Sequence, residues 1–136
     1  MPMAREYTDL KGIKHFDDQT IENDEGFLRR IPEDYWHKAL NRLTSGAFGP
    51  EDMSFSMESL VSPKDFHVFF PLEGLLRLKA SQLRSENEVL ERNPCGDRPW
   101  EKAHALSWGK RNKTRRKKFS QMAEILYPYP NSPNPS

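Results

Sequence analysis

The sequence predicts an α+β domain with a small mixed or antiparallel sheet and two to three helices. Three observations predict it. Met53, Phe55 and Met57 alternate with Ser54, Ser56 and Glu58, the period of two that marks a half-buried strand. Phe119, Met122, Ala123 and Leu126 recur at the spacing of one helix face. Eleven prolines and seven glycines cut the 136 residues into short segments. The length fits one domain, since domains commonly run about 100–150 residues. Only 35% of the residues are hydrophobic, so the core is lean, and eight Phe, four Tyr and three Trp supply much of its area.

Residues 1–26 are polar and carry no helical or strand period. With Asp17, Asp18, Glu22, Asp24 and Glu25 they read as an acidic, extended arm. The single domain then occupies 27–127. Phe27 to Ile31 reads as a strand stopped by Pro32. Glu33 to Leu43 fits a short helix with Tyr35, Trp36, Leu40 and Leu43 on its apolar side, and residues 45–50 fit a turn. Ser62-Pro63 is a helix start, with Ser as N-cap and Pro at the first helical position. That helix runs toward Phe69. Leu72, Leu75, Leu76, Lys79 and Leu83 suit a second helix ending before Glu88. Val89 and Leu90 belong to a strand closed by Asn93-Pro94, and Cys95 to Pro99 form a loop. Ala103 to Trp108 reads as another strand, broken by Gly109. The last helix spans Lys113 to Leu126, ended by Pro128 and Pro130, and 128–136 reads as a disordered Pro-rich tail.

No stretch approaches the roughly 20 apolar residues of a membrane span, so no membrane role is expected. Residues 1–10 lack the apolar run of a secretory signal. The single cysteine, Cys95, excludes an internal disulfide and suits a reducing compartment, which makes the cytoplasm the expected location. Charge is distributed unevenly. Residues 1–65 hold 8 Lys/Arg against 13 Asp/Glu, a net of −5, and residues 66–136 hold 13 against 7, a net of +6. Such asymmetry points either to an anionic partner or to attraction between the two halves.

The strongest chemical signal is the segment Lys110, Arg111, Asn112, Lys113, Thr114, Arg115, Arg116, Lys117, Lys118. Seven of its nine residues are cationic, and phosphate backbones reward such clusters through counterion release. Trp100 and Trp108 lie close enough in sequence to stack on bases. Cations at a helix start work against the macrodipole, so an anion must offset them. It is either external or the chain's own Asp17, Asp18, Asp24 and Glu25. The four histidines, His15, His37, His67 and His104, stand apart from metal-ligand spacings, so no metal site and no cofactor are expected. Cys95 lies beside Asp97 and Arg98 with no evident base, and reads as incidental. Strand alternation sends one of Arg29 and Arg30 to the core side. There it needs a carboxylate, such as Asp34 or Glu58, or a bound anion. If the protein is an enzyme, Arg30 serves as anion binder, Ser54 or Ser56 as positioning hydroxyls and His104 as acid/base.

Leu28-Arg29-Arg30-Ile31-Pro32, Gly46-Ala47-Phe48, Ser54-Phe55-Ser56-Met57 with Ser62-Pro63, Asn93-Pro94 and Ala103-His104-Ala105 follow one another in a layout over roughly 27–126. The layout resembles a family of small uncharacterised bacterial proteins. The resemblance implies an accessory role beside a larger operon product. A fainter similarity is to compact ADP-ribosyltransferase-type folds, which place an arginine on an early strand (here Arg29 or Arg30) and a serine-containing strand after it (Ser54 or Ser56). It departs from that pattern at the later catalytic glutamate. Glu124 is the only acid after Glu101, and it falls in the predicted basic helix. The leading expectation is a non-enzymatic binding protein that engages nucleic acid or another anionic partner through Lys110, Arg111, Lys113, Arg115, Arg116, Lys117 and Lys118. A protein adaptor, using Phe66 to Phe70 or the Tyr35–Trp36 side, and a nucleotide-binding enzyme are the alternatives.

Overall fold

A computed structural model describes residues 5–49 and 51–130. The α+β expectation holds, with an antiparallel sheet. Six strands form it: β3 (Gly26–Ile31), β6 (Asp52–Met57), β7 (Gly74–Lys79), β8 (Val89–Arg92), β9 (His104–Trp108) and β10 (Glu124–Tyr127). Their order is β10-β7-β3-β6-β9-β8, and every pairing is antiparallel. Two hairpins accompany it: β1 (Glu6–Thr8) with β2 (Lys14–Phe16), and β4 (Trp36–His37) with β5 (Arg42–Leu43). The helices are short: α1 (Pro63–Phe69), α2 (Ala80–Ser85), α3 (Pro99–Lys102) and α4 (Lys113–Met122). Among the described residues no helix is long and apolar enough to cross a membrane.

Strand alternation divides the side chains between two layers. Phe27, Ile31, Met53, Phe55, Met57, Leu76, Leu78, Leu90 and Ala105 form one face of the sheet, packed with Leu83 of α2, Phe119 of α4, Phe48 and Ile21. Phe27 and Phe55 meet edge to face at 5.5 Å, and Phe48 lies 5.8 Å from Phe119. The other face carries Leu28 and Leu75, covered by Phe66 of α1, Val61 and Ala103. Ser62 caps α1 as the sequence predicts, its hydroxyl accepting from the Asp65 amide at 3.1 Å.

The structure corrects several expectations. The acidic N-terminal segment is not an extended arm. It forms the β1–β2 hairpin and is stitched to the sheet by polar contacts in place of apolar ones. Among its described residues Ile21 is the one apolar core side chain, 2% exposed. The Asp17 carboxylate accepts from the Leu90 amide at 3.0 Å and pairs with Arg84 at 3.2 Å. The His15 ring stacks on Trp108 at 3.7 Å, with Nε2 2.8 Å from Asp9 and Nδ1 3.1 Å from Glu91. The segment 33–43 is not a helix but a 3₁₀ turn at Glu33–Tyr35 followed by the β4–β5 hairpin. Asn41 takes the left-handed conformation (φ 52°) between those two strands. The predicted helix over Leu72 to Leu83 is split into β7 and α2. The terminal helix stops at Met122, and Glu124–Tyr127 becomes an edge strand on β7. Tyr129, placed by sequence in a disordered tail, is 7% exposed and belongs to the core; 131–136 lie outside the described residues.

Candidate functional site

Helix α4 is positioned by its cap and by one anchor. The Asn112 side-chain oxygen accepts from the Arg115 amide at 2.8 Å, and Phe119, fully buried, fixes the helix on the core. Positions four apart share a helix face. Lys113 and Lys117 therefore stand in line, followed by Ser120 and Gln121. Across from them the β4–β5 hairpin presents Arg42. Between hairpin and helix runs a groove of about 720 Å³. Its apolar lining is Trp36, Leu43, Ile125 and Pro128; its charged lining is Arg42, Lys113 and Lys117, and no carboxylate of the described residues lines it.

The seven cations of residues 110–118 do not act as one surface. Arg111, expected to contact phosphate, is instead a core residue. Its guanidinium is 1% exposed, hydrogen-bonds the fully buried Glu88 carboxylate, and donates to the Ser107 carbonyl at 2.7 Å. Ser107 Oγ donates to the same carboxylate at 2.7 Å. Burial pushes the Glu88 carboxyl above its usual range although Arg111 and Ser107 pull it down, and burial lowers Arg111 although Glu88 raises it. Lys118 pairs with Glu86 at 3.5 Å. Arg115 donates to the Lys110 carbonyl. Arg116 is half-buried, its guanidinium lying over Gly49, where a Cβ would sit 3.2 Å from Nη2. Lys110, Lys113 and Lys117 are exposed and make no ion pair among the described residues. The acids that were candidates for internal pairing are engaged elsewhere. Asp17 meets Arg84, Asp18 meets Arg92 at 3.3 Å, and Glu25 accepts from Ser59. Asp24 is exposed and makes no ion pair among the described residues.

The residues named for an enzyme come together on the opposite face of the sheet. Arg30, Ser54, Ser56 and His104 all line one cleft of about 390 Å³, with Cys95, Arg98 and Glu101 on its rim. The pairing of β6 with β9 sets Ser56 beside His104. Alternation puts Arg29 on the core face, where it finds neither Asp34 nor Glu58. It donates to the carbonyls of Ala47 (3.1 Å) and Ser54 (2.8 Å) and lies 5.7 Å from the ring centres of Tyr35 and Phe55. Burial lowers its pKa, with Tyr35 opposing. Arg30 faces the cleft over the Phe70 ring at 4.3 Å, with Glu73 3.7 Å away. Ser56 is 5% exposed and its hydroxyl donates to the Trp100 carbonyl at 3.0 Å, so it holds α3 on the sheet; Ser54 is exposed. Glu124 lies on β10, not in a helix, and chelates Arg77 at 2.8 and 3.0 Å.

Sequence reasoning missed Arg42 and Trp36 as groove residues, because it placed them on a helix. It also offered Trp100 and Trp108, near the basic segment in sequence, as rings that stack on bases. Trp108 is instead covered by His15, and Trp100 packs on Phe69 and Phe70. The i, i+4 spacing of Lys113 and Lys117 was the signal that could have separated them from Arg111. Among the described residues no cluster of His, Cys, Asp or Glu is arranged to hold a metal ion. Compared with known protein families, curated proteins and solved structures, the chain matches none.

Proposed function

We propose that the protein is a non-enzymatic binding module that engages the phosphate backbone of nucleic acid along the groove between α4 and the β4–β5 hairpin. The observation that carries this reading is the charge of the groove: Arg42, Lys113 and Lys117 line it and no acid among the described residues does. Each phosphate neutralised there releases counterions, which makes binding favourable and salt-dependent. Asp17, Asp18 and Glu25 are held by Arg84, Arg92 and Ser59, and Lys113 and Lys117, which make no ion pair among the described residues, remain for an external anion. Lys110, exposed just before α4, adds a further cation to the sequence of this segment. No element is poised to read base edges, so sequence preference is weak. Within this proposal the protein works in the cytoplasm, where the exposed Cys95 stays reduced.

The test is fluorescence anisotropy with a labelled duplex at two salt concentrations. Changing Arg42, Lys113 and Lys117 to Gln is expected to flatten the log–log salt slope by roughly 3 units, at about 0.9 per duplex phosphate. The melting temperature is expected to hold, since all three side chains are exposed. An unchanged slope overturns the reading.

A protein partner is the second reading, favoured by the apolar surface around α1. Leu60, Val68, Phe69 and Leu72 are 53%, 66%, 46% and 72% exposed. It makes the opposite prediction: Val68→Asp abolishes capture of a partner and leaves duplex binding intact.

A further inference from the structure

The cleft on the far face of the sheet is independent of the α4 groove. We propose that it binds a phosphorylated, hydroxyl-bearing small molecule of single-nucleotide size.

Two guanidiniums stand at its rim, each laid on an aromatic ring: Arg30 over Phe70 at 4.3 Å and Arg98 over Trp100 at 5.3 Å. Stacking on a ring fixes the plane of a guanidinium and leaves its N–H edge for a planar or tetrahedral oxyanion. Arg98 makes no ion pair among the described residues, and Arg30 has only the loose 3.7 Å contact with Glu73. The hydrogen-bonding edges of the two guanidiniums are therefore not used up by close carboxylate pairs among the described residues. Two cations in the lining of one cleft suit a phosphate monoester dianion better than a single carboxylate.

The rest of the lining suits hydroxyl groups. The His104 Nδ1 donates to the Asn93 carbonyl at 2.8 Å. A carbonyl only accepts, so that nitrogen carries the proton. That tautomer leaves Nε2 as an acceptor on a residue that lines the cleft. Ser54 is exposed in the same wall, and the Glu101 carboxylate sits on the rim with one oxygen 3.2 Å from the Arg98 amide. Gly96 makes room for that carboxylate, since a Cβ there would lie 2.6 Å from the Glu101 carboxyl carbon. Imidazole, hydroxyl and carboxylate are the partners a sugar ring asks for, and Phe66, Phe70 and Trp100 supply the apolar wall. The volume, about 390 Å³, lies at the small end of ligand sites, which run about 300–1,000 Å³. A volume of that order suits one nucleotide unit.

The experiment is an NMR titration of the ¹⁵N-labelled full chain with adenosine 5′-monophosphate, with adenosine, ribose 5-phosphate and inorganic phosphate as separate arms. Saturable shifts are expected at the Trp100 indole and at His104 with the two phosphorylated sugars, with inorganic phosphate weaker and adenosine silent. Arg30→Gln with Arg98→Gln is expected to weaken binding at least about tenfold, the loss of charge-assisted hydrogen bonds. Both side chains are exposed, so the spectrum elsewhere should be unchanged. Lys113→Gln with Lys117→Gln should leave these shifts intact, which separates this cleft from the α4 groove. Absence of saturable shifts, equal binding by the arginine variant, or inorganic phosphate binding as tightly as the nucleotide each overturns the proposal.

Discussion

Arg111 lies inside the basic segment yet belongs to the core, and its partner Glu88 offers the sharpest test of that division. The carboxylate is fully buried and the guanidinium 1% exposed. Glu88→Ala leaves a guanidinium in the interior without its carboxylate. Breaking such a pair from one side costs about 3–5 kcal/mol. Unfolding entropy of about 2.1 cal/mol/K per residue gives roughly 0.29 kcal/mol/K over 136 residues. The melting temperature should therefore fall by about 10–17 °C. Replacing both partners, Glu88→Leu with Arg111→Met, removes the buried charges together and should recover most of the loss. Thermal melts followed by circular dichroism decide it. A fall under about 3 °C for Glu88→Ala would refute the claim that this pair is sealed in the core. Any loss of nucleic-acid binding in an Arg111 variant should track unfolding, unlike that of Lys113 and Lys117.

Two further predictions concern how the ends of the chain are fastened. Burial depresses the His15 pKa, but the hydrogen bonds and charges of Asp9 and Glu91 outweigh it and raise the pKa above the ordinary value. A raised folded pKa gives stability that is complete below about pH 6.5 and is lost as pH rises through the folded value. The melting temperature at pH 6 should exceed that at pH 8.5 by a few degrees, and His15→Phe should abolish the His15 share of that difference; an NMR midpoint for His15 at or below 6.5 would refute this. Gly74→Ala should cost about 1–3 kcal/mol by urea titration, because the added Cβ would lie 2.7 Å from the Tyr127 carbonyl oxygen and 3.0 Å from the Tyr129 nitrogen, both backbone atoms. A neutral result would show that β10 is not seated as described.

The strands with one plainly alternating face were legible. In β6, Met53, Phe55 and Met57 point to the core, as their spacing announces, and β3 and β9 were found close to their observed limits. Strand β7 was not, because it is covered on both faces. Leu75, Leu76 and Leu78 are all buried, the period of two disappears, and the remaining run of leucines imitates a helix. In α4 the apolar spacing continues past Met122, but Ala123 turns extended (ψ 132°) and β10 gains a partner in β7 that no local pattern records. The N-terminal segment was misjudged for another reason. Its attachments are hydrogen bonds and ion pairs to Leu90, Arg84 and Glu91, which composition reads as solvent-facing polarity. The same limits held at the candidate sites. Arg30, Ser54, Ser56 and His104 were named from chemistry, and register pairing then placed three strands side by side. Arg42 depended on a hairpin the sequence disguised as a helix.

The strand order has a consequence for how the chain is made. Strand β3 leaves the ribosome before the other strands of the main sheet and ends at its centre, with β6 on one side and β7 on the other. The β8–β9 pair then extends the β6 side and β10 closes the β7 side. Growth is outward, by addition of single strands or of the β8–β9 pair to a free edge, and no later strand has to be threaded between two that have already paired. A nascent chain can therefore keep the growing sheet as a template for every strand but β8, which waits for β9 to join it to β6, at the cost of carrying an open β7 edge until residues 124–127 emerge.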